Sequence, residues 1–378
     1  MEAIRKQEVA VMPIYLDHAA STRPEAEVVS AVSECMLNVY ANPSSAYAAA
    51  GEARREMRRC RRVIASMAGC DPAGVILTSG GTESNNIVLR SAAGRHVVLS
   101  AGEHSSVLEA ARAWGCDVTL APLDDQGVVQ ADAVERALRS DTALIALQWA
   151  NNETGVLQPV EAVGRLARER RIPFHADAVQ AFGHVPVSLR WCDSLSLSAH
   201  KFCGPRGAGA LCVRQGVKLQ PLISGGGQEM NLRAGTENVP AVCGMRVAAE
   251  MAAADMQERS RREGELMQDL LRRLTDRIPG ARLLGEKAQR LPGVAAVYLP
   301  GLSSEMAIAQ LDLMGVMVSG GAACAASSAE ASHVYRAMEL TEKEARQVIR
   351  ISAGRHTTGE ETAAAAEAIV AVWEKYRD

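Results

Sequence analysis

The run Ser194-Leu-Ser-Leu-Ser198-Ala-His200-Lys201 alternates apolar and hydroxyl residues as a strand does. It delivers a Lys beside a His into the Gly/Pro-rich turn Gly204-Pro-Arg206-Gly207. Partial burial lowers the pKa of a Lys amine toward neutrality and lets it form a Schiff base with an aldehyde; the ordinary alternative is a solvated loop charge. In Pro173-Phe-His175-Ala-Asp177-Ala-Val-Gln180 a buried strand ends on polar residues. The carboxylate of Asp177 can pair with a protonated heterocyclic nitrogen there, or simply cap the next helix. Thr78-Ser79-Gly80-Gly81-Thr82-Glu83-Ser84 follows a strand and opens a helix. Its free N–H groups and small residues suit a phosphate, although such a turn also occurs with no ligand.

Taken jointly, a phosphate cup, an acid for a pyridinium nitrogen and a Schiff-base Lys are the parts of a pyridoxal 5'-phosphate (PLP) site. Other nucleotide and hydrolase motifs are absent: the sequence has no G-x-G-x-x-G, P-loop, G-x-S-x-G or H-E-x-x-H pattern. Cys324 lies in Ser319-Gly-Gly-Ala-Ala-Cys-Ala-Ala-Ser-Ser, a segment without bulky side chains that is expected to be a mobile loop exposing the thiol. Cys60, Cys116, Cys212 and Cys243 fall in predicted helices or strands, where a thiol acts as a small buried hydrophobe.

These residues need a scaffold. Short apolar, β-branched runs at Val75–Thr78, His96–Leu99, Asp117–Leu120 and Ala143–Leu147 alternate with helical stretches at Glu83–Ala92, Ser106–Trp114, Ala131–Leu138 and Val160–Glu169. That alternation predicts an α/β fold, a doubly wound and mainly parallel sheet. Ser194–Ala199 and Ala208–Val213 add two strands. A long helical pattern from about Val239 to Ile278 bridges to a smaller α+β lobe. That lobe holds a strand at Gly293–Leu299, a helix at Ser304–Met314, a short helix near Ser332–Met338 and a strand at Val348–Ser352. Thr358 and Glu361 have capping-box spacing for a last helix from Gly359. The expected division is a large domain over 14–250 and a small one over 251–378, joined by 1–13.

The 378 residues carry 41 Lys+Arg against 44 Asp+Glu, a net charge of -3, which argues against a nucleic-acid or membrane-surface protein. The content of 48% hydrophobic residues suits a large core, and at 3% aromatic that core must be aliphatic. Nine Cys with no C-x-x-C pair fit neither a zinc site nor a disulfide scaffold, so no metal and a reduced, cytoplasmic setting are expected. No apolar run reaches membrane-spanning length, and the first residues lack the apolar core of a signal peptide.

The chain resembles the class V, fold-type I PLP enzymes, and specifically the cysteine desulfurases of the NifS/IscS type. The resemblance runs from Tyr15-Leu-Asp-His-Ala-Ala-Ser-Thr to Gly354-Arg-His-Thr-Thr. It is carried by Ser79–Asn85, Asn151-Asn-Glu-Thr-Gly155, Asp177–Gln180, Ser198–Lys201, Arg233-Ala-Gly-Thr236-Glu-Asn and Ser319–Ser332. It implies a seven-stranded sheet and a reaction that converts L-cysteine to L-alanine, leaving the sulfur on Cys324 as a persulfide. It further implies that Lys201 carries PLP, Asp177 pairs with the pyridine nitrogen, and Asn152 and Gln180 contact the ring's O3' side. Gly81, Thr82, Ser198 and His200 would bind the phosphate, with Thr236 arriving from the other subunit of a homodimer. His104, in Gly102-Glu-His-Ser-Ser, would stack on the cofactor and move protons. Arg350, with Asn152, would hold the substrate carboxylate; without the resemblance it reads as a surface ion pair. The implied partner is a sulfur acceptor such as an Fe–S scaffold or a tRNA-thiolation protein. Other PLP lyases and aminotransferases need Lys201 and Arg350 but no loop thiol, and a non-catalytic scaffold would need neither Lys201 nor Cys324.

Overall fold

The computed structural model describes residues 13–321 and 331–377. The chain begins with β1 (Ile14–Tyr15), α1 (Ala26–Asn38) and α2 (Ala50–Ala68). The α/β region follows: β2 (Val75–Thr78), α3 (Gly81–Arg90), β3 (His96–Ser100), α4 (Ser105–Ala113), β4 (Asp117–Ala121) and α5 (Ala131–Ala137). It continues through β5 (Thr142–Gln148), α6 (Val160–Arg170), β6 (Phe174–Asp177), β7 (Ser194–Ser198) and β8 (Gly209–Val213). Helix α7 (Val239–Arg277) leads to β9 (Arg282–Leu283), β10 (Val294–Tyr298), α8 (Ser304–Leu313) and β11 (Val316–Met317). The last elements are α9 (His333–Ala337), α10 (Glu342–Ala345), β12 (Val348–Ser352) and α11 (Gly359–Tyr376).

The large sheet has seven strands in the order β2-β8-β7-β6-β5-β3-β4. Only β8 runs against the others. Its connection from β7 spans about ten residues and contains no α-helix, so the chain turns back as a hairpin rather than crossing over. Every residue of β2, β3, β6, β7 and β8 is buried, as expected for strands covered on both faces. The C-terminal ends of β2, β3, β5, β6 and β7 therefore share one edge. That edge carries Thr78, Ser100, Gln148, Asp177 and Ser198, with Gln148 in register with Asp177.

A three-stranded antiparallel sheet, β12-β10-β9, forms the second layer with α8 and α11. Helix α7 runs unbroken for 39 residues, about 58 Å. Its residues up to Ala252 belong to the core around the large sheet, and those from Met267 to the core around the small one. The expected boundary at 250/251 thus falls inside one continuous helix. The Thr358–Glu361 capping box forms, each side chain bonding the other residue's backbone N–H. Two short parallel strands, β1 and β11, pair 302 positions apart at Ile14 and Val316 and tie the N-terminal segment to the small layer. No described helix is long and apolar enough to cross a membrane.

Candidate active site

A cavity of about 470 Å³ opens at the C-terminal edge of the large sheet. Gly81, Thr82, His104, Asn152, Asp177, Gln180, Ser198, His200, Lys201 and Arg350 all line it. Thr236 does not, and it is exposed to solvent. Cys324 lies outside the described residues.

Lys201 closes a single 3-10 turn after β7. Its Nζ donates to the carbonyls of Ala19 (2.6 Å) and Ala20 (3.0 Å), so the loop after β1 holds the amine over the strand ends. Gln180 Nε2 donates to the same Ala19 carbonyl at 2.8 Å. On β6, Asp177 Oδ1 accepts from Val179 N (3.0 Å) and Oδ2 from Asn85 Nδ2 (2.8 Å). Asn85 is wholly buried on α3 and makes three further contacts, with Ser106 Oγ (2.8 Å), Ser196 Oγ (2.7 Å) and His175 Nε2 (3.0 Å). His175 reaches Ser194 Oγ through Nδ1 at 2.9 Å. Burial pushes the His175 pKa down to about 4, against the pull of Asp177, so the ring is neutral at physiological pH. The carboxylate is thereby held by neutral donors rather than by a cation.

His104 caps α4, its Nδ1 accepting from Ser106 N at 3.1 Å and lying 2.9 Å from Ser106 Oγ. Burial lowers its pKa, opposed by Asp177 and reinforced by Lys201 and His333. Ser106 accommodates both tautomers. With Nδ1 accepting from the backbone, Nε2 holds the proton; with Nδ1–H donating to Ser106 Oγ, Nε2 is a free base. Next to it, Glu103 is fully buried, with Oε1 accepting from Gln148 N at 2.8 Å and Oε2 without a hydrogen-bond partner. Burial, with Asp177 adding to it, holds this carboxyl well above the usual range despite the Gln148 N–H.

The α3 N-terminus borders the cavity with two glycines and has room and free N–H groups for an anion. Gly80, its N-cap, has φ of +154°, a conformation glycine alone adopts freely. A Cβ on Gly81 would stand 2.4 Å from Val179 Cγ2, so the close packing of this turn on the β6 loop excludes any side chain. Arg350 on β12 is 1% exposed. Its Nη1 donates to Asn152 O (2.9 Å) and its Nη2 to Asp17 Oδ1 (2.7 Å), while Nε is buried with no hydrogen-bond partner among the described residues. A side-chain-free helix N-terminus, a Lys amine, a carboxylate at the strand end and an unfilled guanidinium donor in one cavity fit PLP and an amino-acid carboxylate.

The described residues on either side of the Cys324 segment are tied to Arg350, which lines this cavity, and to two neighbouring glutamates. Ser319 pairs with the Arg350 backbone (2.6 and 3.1 Å), Ser332 Oγ donates to Glu153 Oε2 (2.6 Å), and His333 Nε2 contacts Glu103 O (3.0 Å). Cys324 is five positions beyond Ser319 in the sequence, a span of at most about 18 Å. Of the other cysteines, Cys60, Cys212 and Cys243 are buried and Cys116 half-buried, all as free thiols.

Asn85, Ser106, Glu103 and Asp17 were given no role from the sequence. Asn85 carried a readable signal, a polar residue on the otherwise buried face of α3 with Ser84, Ile87 and Val88. Asp17 had none, because its partner is 333 residues away.

The family model of class-V aminotransferases matches residues 14–364. Cysteine desulfurase IscS of Dictyoglomus turgidum is 40% identical over 375 residues, 96% of this chain and 95% of the relative. Cysteine desulfurase IscS of Methanosarcina thermophila is 38% identical, covering 97% and 93%. The solved structure of a NifS-like protein superimposes with a TM-score of 0.90 at 33% identity, over 96% of this chain and all of the other. The chain accordingly belongs to the class-V aminotransferases, a PLP-dependent family, and within it to the cysteine desulfurases of the NifS/IscS type.

Proposed function

We propose that this enzyme converts L-cysteine to L-alanine with Lys201, His104, Asp177, Arg350 and Cys324 in the roles below. The observation that carries the assignment is the convergence of the first four on one cavity at the strand ends. When bound, PLP supplies an aldehyde that joins a primary amine and a ring that draws electrons from the substrate's Cα. Lys201 Nζ would hold the aldehyde carbon, and it is the base placed to move the Cα proton of the substrate. Asp177, its Oδ2 oriented by Asn85, would pair with the ring nitrogen. Gly81, Thr82, Ser198 and His200 hold the phosphate, and Asn152 and Gln180 flank the ring's O3' side.

Arg350 binds the substrate carboxylate with its fork, and Asn152 bounds the same corner. His104 Nε2 takes the proton of the substrate thiol, since its lowered pKa keeps the imidazole neutral. The Cys324 thiolate then attacks that sulfur. An S–S bond forms, the C–S bond breaks, and the released carbon takes up the electron pair and a proton. The balance is L-cysteine plus a thiol giving L-alanine plus a persulfide. The sulfur then passes to an acceptor protein, such as an Fe–S scaffold or a tRNA-thiolation protein, in the cytoplasm. Thr236, exposed and not part of its own chain's cavity lining, reaches the phosphate of a second copy in a homodimer. The large domain, 14–250, carries the cofactor; the small one, 251–378 with 1–13, carries the thiol loop.

Incubation with L-cysteine followed by mass spectrometry tests this. Alanine and one extra sulfur on Cys324 are expected, and Cys324→Ala keeps the cofactor's absorption band but forms no persulfide. Extra sulfur on a different Cys, or undiminished turnover of Cys324→Ala, refutes the role of Cys324.

A further inference from the structure

A second cavity, larger than the catalytic one, lies elsewhere in the described residues. About 570 Å³ lies at the opposite, N-terminal edge of the large sheet, between α3, α6 and the segment after β8. That volume is within the roughly 300–1,000 Å³ of ligand pockets. Its floor is apolar, formed by Ala92, Leu144, Ala167 and Phe174, all buried. Five cationic side chains, Arg95, Arg168, Arg171, Arg214 and Lys218, line it against one carboxylate, Asp193.

That carboxylate is already taken. Asp193 pairs with Arg214 at 3.1 Å and accepts from Phe174 N at 2.9 Å. Arg168 and Arg95 find only backbone carbonyls, at Arg190 (2.7 Å) and Ser91 (2.9 Å). Among the described residues, Arg171 and Lys218 have neither ion pair nor hydrogen bond through their side chains. Elsewhere on α6 the arginines are matched: Arg165 pairs with Glu161 at 2.5 Å and Arg170 with Glu135. The excess of positive charge is thus confined to the mouth of the cavity rather than spread over the helix. Low-dielectric walls behind a one-sign rim concentrate the opposite charge.

We infer that this cavity is a second ligand site, for a small organic anion: an apolar body of about mononucleotide size bearing a phosphate or carboxylate. The body packs on the floor, and the anionic group meets Arg171, Lys218 and Arg168 at the rim. Ser194, on the cavity wall, is also the first member of the hydrogen-bonded chain through His175 and Asn85 to Asp177. An occupant therefore abuts the network that orients the Asp177 carboxylate. The inference stands independently of the desulfurase assignment, because no residue of the catalytic cavity enters it.

The test is calorimetric titration of the holoenzyme, dialysed to one cofactor per chain, with naphthyl phosphate. One saturable site per chain is expected, weakened by added salt. The exposed pair Arg171→Glu/Lys218→Glu should weaken binding about tenfold or more, as loss of complementary charge at a ligand rim does. Ala143→Trp, which fills the mouth without touching the charges, should abolish it. Inorganic phosphate, lacking the apolar body, should bind at least about tenfold more weakly. An unchanged affinity in both variants overturns the proposal, as does equal binding of inorganic phosphate. Displacement of the probe by an acidic peptide but not by small aryl carboxylates overturns it in favour of a macromolecular partner.

Discussion

Asn85→Ala removes one side chain that joins Asp177, Ser106, Ser196 and His175 at 2.7–3.0 Å in a fully buried position. The cost depends on what its partners keep. Ser106 retains His104, and Asp177 retains Val179 N. Ser196 Oγ and His175 Nε2 are left unpaired, and Asp177 Oδ2 loses a donor to a charged group. An orphaned buried polar group costs about 1–3 kcal/mol, and a bond to a charge contributes about 1.5–3 kcal/mol. Relaxation and entry of a water into the space reclaim part of this, so a net loss of about 3–5 kcal/mol follows. Urea denaturation of the cofactor-free protein, followed by far-UV circular dichroism, measures it. Ser196→Ala should cost less in the Asn85→Ala background than in the wild type, by about 1–2 kcal/mol, since the hydroxyl no longer has its acceptor. A loss below about 1 kcal/mol for Asn85→Ala, with no coupling to Ser196, would refute the idea that this amide organises the strand ends.

Further outcomes follow from single contacts. Burial raises the pKa of Glu263 to about 7, with Arg259, Arg262 and Arg355 opposing and Asp255 adding to the rise. The stability this group contributes is full below its unfolded pKa and is lost as pH rises through about 7. Glu263→Gln should therefore match the wild type in acid and exceed it in urea denaturation at pH 8, by up to about 3 kcal/mol; equal stability there would refute this. Gly81→Ala should lower cofactor retention on dialysis, and Val179→Ala should restore it, because the three atoms nearest the added Cβ all belong to the Val179 side chain. Arg350→Lys keeps the charge but loses the fork. It should raise the KM for L-cysteine by about 10- to 150-fold, as loss of a charge-assisted bidentate contact implies, with the cofactor band unchanged. An unaltered KM would remove Arg350 from carboxylate binding.

The elements between Val75 and Val213 were readable because most of their strands are short apolar runs, or alternate as β7 does, and the punctuating Gly, Ser and Asp mark their ends. The chemistry-bearing residues were readable for a related reason. They cluster just beyond those strand ends, where a parallel sheet exposes its functional edge. Helices α1 and α2 were not assigned from the sequence. In α2 the apolar stripe Ala53, Met57, Cys60 and Ile64 is interrupted by Arg and Glu at nearly every intervening position. Strands β1, β9 and β11 have two residues each, too short to carry any periodicity, and exist only through their partners.

The amino-acid sequence by itself determined the α/β architecture, the order of Lys201, Asp177 and Gly81 along it, and the family. Those properties follow from local periodicity and from short contiguous motifs. Tertiary structure decided the rest: the place of β8 within the sheet, the pairing of Arg350 with Asp17, and the joining of Asn85, His175 and Asp177 into one network. It also gathered five cations from separate segments around a cavity at the far edge. Each of these depends on contacts between residues tens to hundreds of positions apart, and such contacts leave no period or spacing in the chain.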